Sequence, residues 1–281
     1  MVLNNILFSF ITWNVNPDVF ELPILHSPVR WYGLLFALGF LLSQQVMYFI
    51  YKKEGRPTGE VDTLTIYIAL ATLIGARLGH VLFYSPVYYF HHPSKIIATW
   101  EGGLASHGAG IAIFIALYLF TRKTKVNYLW LLDRVAIITA LTGSLIRLGN
   151  LMNSEMVGLP TSLPWGFVFV SVDDIPRHPA QLYESIYCFI LFLMLFGAWY
   201  NYRDRLTNGF LFSWFLIILF SLRFIDEFFK MNQETFEDDL ILNMGQLLSI
   251  PFVLAGIILL WLNRGDKGAP ARSPSSAPDN Q

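Results

Sequence analysis

The chain has 281 residues, of which 54% are hydrophobic, 16% aromatic and only 14% charged, with a formal net charge of −1. A soluble domain usually carries about 25% charged residues, so an ordinary soluble globular fold is excluded and membrane insertion is favoured. A near-neutral chain carries no electrostatic footprint for nucleic acid, and a single cysteine, Cys188 in an apolar run, excludes an internal disulfide and reads as a packing residue.

Residues 1–30 hold an apolar stretch without a basic flank, which is not the pattern of a cleavable signal peptide. Beyond it, about seven stretches approach the 20 or so apolar residues a spanning helix needs. They cover 31–51, 64–84, 104–120, 128–146, 181–199, 210–225 and 244–262. Helices are required, because lipid offers no partner for an open backbone. The expected fold is therefore all-α: a polytopic bundle of about seven transmembrane helices, with a small outward-facing, periplasmic subdomain. No internal repeat and no second domain is legible.

Basic residues in the connections set the expected orientation. Lys52, Lys53 and Arg56, then Arg122, Lys123 and Lys125, then Arg203 and Arg205, and finally Arg264, Lys267 and Arg272 fall on alternate loops, assigned to the cytoplasm. The opposite loops hold only Arg30, Lys95, Arg177 and Lys230. The amino terminus is then outward and the carboxyl terminus cytoplasmic. The outward loop 150–180 is long enough to expect function in it. Residues 264–281, rich in Pro, Ser, Ala and Gly, read as a disordered cytoplasmic tail. This divides the chain into an outward segment 1–30, a transmembrane domain 31–263 and the tail.

Charges inside apolar stretches are costly and mark candidate sites. Arg134 follows Asp133 and is explained by local pairing or by snorkelling. Arg77 lies among small residues in Gly75-Ala76-Arg77-Leu78-Gly79, which allow close helix approach, and a functional role and a structural pairing across the bundle are equally open readings. His107 begins the third stretch among glycines. Arg147 opens a dense polar run with Asn150, Asn153 and Glu155, ending at Gly158, with glycines that permit turns. Arg177-His178-Pro179 precedes Gln181, Tyr183 and Glu184, which enter the fifth stretch needing partners, with arginines the obvious ones. Arg223 and Glu227 stand four apart, a helical spacing that permits pairing. Metal binding is not expected: His107 has no second histidine at ligand spacing, and the adjacent His91 and His92 diverge.

Arg30-Trp31-Tyr32-Gly33, the Arg77 segment, Glu101-Gly102-Gly103 with Ser106-His107-Gly108, the Arg147-to-Gly158 run, Arg177-His178-Pro179 with Gln181-Leu182-Tyr183-Glu184, Arg223-Phe224 with Glu227-Phe228-Phe229, and Met244-Gly245-Gln246-Leu247-Leu248-Ser249-Ile250-Pro251 occur in this order. Together they resemble the prolipoprotein diacylglyceryl transferase family over most of residues 30–251. Ile146, Leu219 and Ala109 depart from the family's usual glycine, tyrosine and glycine. The resemblance implies an enzyme of the bacterial inner membrane. It would move the sn-1,2-diacylglyceryl group of phosphatidylglycerol to the lipobox cysteine of a prolipoprotein, forming a thioether and releasing glycerol phosphate. Its substrates would be phosphatidylglycerol and prolipoprotein signal peptides in the lipid bilayer, with no nucleic acid, metal or organic cofactor.

That chemistry suits the residues. Arg147 and Arg223 can grip a phosphate and stabilise the charge that develops on it. His107 is the first candidate base for the thiol, with Glu155 or Glu227 behind it. Tyr32, Asn150, Asn153 and Gln181 are expected to bind headgroup oxygens or orient the arginines. Arg77, Glu155, Gly158, Tyr183, Glu184 and Glu227 complete the expected substrate-binding set. A transporter or flippase for an anionic lipid or solute is the competing class, since buried arginines suit it equally.

Overall fold

The computed structural model describes residues 10–22, 27–99, 102–231 and 241–263. Every predicted apolar stretch is helical: α1 (Trp31–Lys53), α2 (Gly59–Phe83), α4 (Ser106–Thr124), α5 (Tyr128–Met152), α6 (Ala180–Tyr202), α7 (Phe210–Asp226) and α8 (Met244–Asn263). Five of them, all but α4 and α7, are long and apolar enough to cross a membrane. Most ends run past the apolar cores because polar turns continue the hydrogen-bond ladder beyond the lipid-compatible segment, whereas α4 starts at Ser106 and α2 stops at Phe83, just inside the expected stretches. A short helix α3 (Pro86–His91) and a 3₁₀ turn (Pro93–Ile97) fill the connection after α2. The tail 264–281 and Glu101 lie outside the described residues.

Large apolar side chains point outward along the helices, among them Ile66, Leu70, Leu73 and Ile74 on α2, Ile111 and Ile115 on α4, and Ile257, Ile258 and Trp261 on α8. Continuous apolar surface of this extent marks contact with lipid rather than water. The chain is a multi-pass membrane protein.

Two compact units divide it, one formed by residues 1–43 and 135–281, the other by 44–134. The division falls within α1 and α5.

In the second unit, α2 packs on α4 through a seam of small residues. A Cβ added at Gly79 would stand 2.7 Å from the Cα of Gly108, and one at Gly108 would stand 2.6 Å from the Cα of Gly79. Only hydrogen at both positions permits this approach. At the other end of α2, Arg134 donates to Glu54, with 2.7 Å from Nη2 to Oε1. Its planar group lies 4.5 Å from the Trp130 ring centroid, and that of Arg56 lies 4.7 Å from it. Asp133 is 3.6 Å from Arg134, so its neighbour in sequence is the lesser partner. Glu54, 80 residues earlier, takes the charge.

In the first unit, α5 and α6 exchange hydroxyl bonds: Ser144 Oγ donates to the Ser185 carbonyl at 2.8 Å and Ser185 Oγ donates to that of Ser144 at 2.9 Å. Ser43 ties α1 to α5 through Thr142 at 2.7 Å. Such short polar side chains join helices where apolar burial offers no net gain against lipid. Cys188 is buried in α6, with its sulfur beside Gly143, in keeping with a packing role. Helices α7 and α8 pack closely, with Phe220 stacked on Phe252 at 4.3 Å between ring centroids.

Among the described residues, five short strands in two small sheets form a β-structured region at the helix ends of this unit. Strand β1 (Ile11–Trp13) pairs in parallel with β4 (Phe167–Phe169), which pairs antiparallel with β5 (Pro176–Arg177). Strands β2 (Asp18–Leu22) and β3 (Ser27–Arg30) form a hairpin leading into α1. Leu151, Phe167 and Phe169 make its core, covered by Trp13, Leu148, Val157 and Leu182. Trp13 Nε1 also donates to the Leu151 carbonyl, a terminal acceptor of α5, at 3.0 Å. Burial of these aromatic faces fixes the loop that carries Asn153 to Gly158.

Candidate functional site

The first unit gathers the start of α1, the end of α5, the start of α6, the end of α7 and the start of α8. Gly149 allows the α5 end to touch Tyr32: a Cβ there would stand 3.1 Å from the Tyr32 Cα. After α5 the backbone turns twice through left-handed conformations at Ser154 (φ 54°) and Met156 (φ 56°). Non-glycine residues seldom hold such angles unless their surroundings enforce them. The turns were expected from glycines, yet Gly149 and Gly158 serve close approach instead. A Cβ at Gly158 would stand 2.5 Å from the His178 carbonyl and 2.6 Å from that of Phe229.

The double turn folds Glu155 back over α5. Its two carboxylate oxygens accept from Asn150 Nδ2 and Asn153 Nδ2, each at 3.0 Å. Gln181 at the start of α6 donates to the Glu155 carbonyl. The two asparagines, Glu155 and Gln181 thus form one connected group.

Arg147 leaves α5 one turn earlier and pairs its Nε with Glu184 Oε2 on α6 at 2.8 Å. Its Nη1 faces Asn150 Oδ1 at 3.4 Å and the Met156 sulfur at 3.1 Å. The other Glu184 oxygen accepts from Lys230 Nζ at 2.6 Å. Lys230 also lies 3.3 Å from Asp226 Oδ2 and 3.2 Å from Glu227 Oε1. Glu227 in turn faces Arg223 Nη2 at 3.7 Å. The two arginines of the sequence reading are therefore joined by an unbroken line of charges. Exposure falls sharply along it, from 35% for the Arg223 side chain to 1% for Glu184.

The start of α8 completes the frame. Asn243 Oδ1 accepts from Gln246 N at 2.9 Å and Gln246 Oε1 accepts from Asn243 N at 3.2 Å, a reciprocal cap. Asn243 Nδ2 then reaches Glu227 Oε2 at 3.3 Å. Gly245 follows, and any side chain there would collide with the Glu227 carboxylate.

On the loop before α6, Arg177 pairs with Asp173, 2.5 Å from Nη2 to Oδ2. The Arg177 hydrogen bonds hold the Asp173 carboxyl below its ordinary range. Burial holds His178 below its ordinary value and so neutral at pH 7. Tyr183 Oη accepts from Trp165 Nε1 at 2.9 Å and can donate to the neutral His178 Nδ1 at 3.2 Å.

The second unit holds the other two candidates. Arg77 is buried and donates to four carbonyls: Nε to Ile96 at 2.8 Å, Nη2 to Lys95 at 2.5 Å, and Nη1 to Gly102 at 2.5 Å and Gly103 at 3.1 Å. Its guanidinium also lies over Tyr89, 5.1 Å from the ring centroid. All three of its nitrogens are engaged in fixing the connection that leads to α4. His107, the second residue of α4, is exposed and packs its ring against Phe83 and Tyr84, 5.5 and 5.8 Å between centroids. Among the described residues no group of three or more His, Cys, Asp or Glu is placed to hold a metal.

Sequence reasoning gave no site role to Lys230, Asp226, Asn243 or Gln246. A signal existed for the first pair: Asp226 and Lys230 stand four apart and Glu227 and Lys230 three apart, the spacings that meet on a helical turn.

Residues 17–262 match the family model described as prolipoprotein diacylglyceryl transferase. A phosphatidylglycerol–prolipoprotein diacylglyceryl transferase of Tolumonas auensis is 50% identical over 257 residues, covering 91% of this chain and 98% of that protein. Proteins of the same name from Chloroherpeton thalassium and Bacteroides fragilis are 44% and 45% identical, over 90% and 92% of this chain and 94% and 97% of theirs. These names give no support to the transporter alternative. With a family model spanning most of its length and relatives of this similarity, the chain belongs to the prolipoprotein diacylglyceryl transferase family.

Proposed function

We propose that this chain transfers the sn-1,2-diacylglyceryl group of phosphatidylglycerol to the lipobox cysteine thiol of a prolipoprotein, the first step of bacterial lipoprotein maturation. Family membership and the relatives' names support the two substrates. The observation that carries the reading is the pair of arginines, Arg147 and Arg223, each facing a carboxylate on its inner side and linked through Lys230.

In the reaction the cysteine sulfur attacks the glycerol carbon that carries the phosphate. A C–S bond forms, the C–O bond to phosphate breaks, and its electron pair stays on the departing oxygen. Glycerol phosphate leaves with one more negative charge than the diester phosphate had. Arg147 and Arg223 stabilise that developing charge, which raises the rate because the contact strengthens in the transition state. Among the described residues Arg147 Nη2 makes no hydrogen bond, so a donor remains for a phosphate oxygen. The thiol proton passes to His107, our assigned base, since a thiol of pKa about 8.5 is mostly protonated at neutral pH.

Tyr32, Asn150, Asn153, Glu155 and Gln181 form the headgroup-binding wall, with Gly158 and Tyr183 shaping it. Glu184 and Glu227 hold the arginines. Arg77 contributes by ordering the segment before His107. We place the enzyme in the inner membrane, with residues 1–30 and the amino terminus periplasmic, the catalytic domain 31–263 spanning the bilayer, and the tail 264–281 cytoplasmic.

The test is incubation of the purified protein with headgroup- and acyl-labelled phosphatidylglycerol and a lipobox peptide. Acyl label in the peptide with headgroup label released as glycerol phosphate is expected. Both labels remaining in lipid would overturn the assignment.

A further inference from the structure

Lys230 stands in a connection where a basic residue would be expected to face solvent, yet its side chain is 2% exposed. Its ammonium meets three carboxylates, on Glu184, Asp226 and Glu227, within 3.3 Å. Two of these, Glu184 and Glu227, also face the two arginines. The third, Asp226, is buried and has Lys230 as its ion-pair partner among the described residues. Three cations thus balance three carboxylates in one cluster, buried at Lys230, Glu184 and Asp226 and opening outward at the two arginines.

The main chain fixes where this ammonium sits. Lys230 forms an isolated bridge with Gly158 and closes the 3₁₀ turn Glu227–Phe229 by its N–H to the Glu227 carbonyl. The loop that carries Glu155 and the turn that carries Glu227 therefore share Lys230 as a common point.

Removal of the ammonium would leave three carboxylates facing two guanidinium groups. The surplus charge would repel a phosphodiester and draw the arginine donors inward, away from it. We propose that Lys230 is a positioning residue for the transfer reaction, setting the spacing of Arg147 and Arg223 and cancelling the carboxylate surplus so that their donors stay available to the donor phosphate. The inference rests on the diacylglyceryl transfer proposed above. Lys230 itself need not touch substrate.

Charge balance distinguishes this from a packing role. If the surplus matters, neutralising Asp226 compensates for the missing ammonium, because two cations then face two carboxylates. Packing alone gains nothing from that second change.

The experiment compares full-length wild type, K230M, K230R and D226N/K230M, each purified in detergent and checked for a monodisperse profile. kcat and KM for phosphatidylglycerol are measured with a lipobox peptide. Loss of one partner from a buried charge cluster is expected to lower kcat/KM of K230M by about a hundredfold. D226N/K230M should regain about tenfold over K230M, and K230R should retain more than about a tenth of wild-type kcat/KM. The inference is overturned if K230M stays within about threefold of wild type, or if monodisperse D226N/K230M is no faster than K230M. If K230M does not purify, D226N/K230M decides alone: kcat/KM above about a hundredth of wild type supports the inference and a lower value overturns it. Inactive wild type in the same assay would instead refute the transfer reaction itself.

Discussion

Arg147→Lys keeps the charge and removes the planar fork. In the structure Arg147 spends Nε on Glu184 at 2.8 Å and turns Nη1 to Asn150 and Met156. A lysine has one ammonium. It can stay on Glu184 or reach a phosphate oxygen, but it cannot bridge both as a rigid plane. A hydrogen bond to a charged group contributes about 1.5–3 kcal/mol. Loss of the stronger figure, made chiefly in the transition state, lowers turnover roughly 150-fold at 1.36 kcal/mol per tenfold. The drop should fall on kcat more than on KM, because the charge developing on the leaving phosphate is what the fork stabilises. Thioether formation on a lipobox peptide, followed at saturating phosphatidylglycerol, reads it directly. A variant within about threefold of wild type in kcat would refute the role of the Arg147 fork on the leaving phosphate.

Other outcomes follow from the same geometry. His107→Gln should lower activity at neutral pH and regain it toward alkaline pH, where the thiolate forms unaided; an unchanged pH–rate profile would remove His107 as the base. Gly158→Ala should cost about 1–3 kcal/mol of stability, since the new methyl meets two backbone carbonyls that cannot rotate away, and a thermal midpoint equal to wild type would contradict this. The Asp173 carboxyl is held below its ordinary value by Arg177, so its contribution is present above about pH 4 and is lost as pH falls through the lowered value. Limited proteolysis of the 150–180 loop should therefore rise below about pH 4 in wild type and be less pH-sensitive in Asp173→Asn; identical profiles would refute the link.

The helices were legible because lipid demands long apolar runs, and the site's arginines because a charge beside such a run is costly. Arg147 and Arg223 stood out on that ground, Glu184 as a polar residue entering an apolar stretch and Glu227 by its spacing from Arg223, and the structure joins them. Lys230 was not, because it lies past the end of α7, where a lysine reads as an ordinary loop charge. Its burial depends on Glu184, 46 residues away, and no local pattern reports that contact. Arg77 was legible as unusual but not as a carbonyl-bound pin, since its acceptors are backbone atoms 18 to 26 residues distant and any sequence supplies carbonyls. The strands escaped notice for a related reason. They are two to five residues long, too short for alternation to register.

The parallel pairing of Ile11–Trp13 with Phe167–Phe169 has a consequence for biogenesis. A strand made at the beginning of translation has its partner among residues made far later. At about 5–20 residues per second, roughly 8–30 seconds separate the two. Throughout that interval the early segment must wait with its ladder groups unmatched while four hydrophobic helices are threaded into the bilayer. Assembly of the candidate site is thereby deferred until the ribosome has passed the α5–α6 connection, and a protein arrested before that point would be inserted but incomplete.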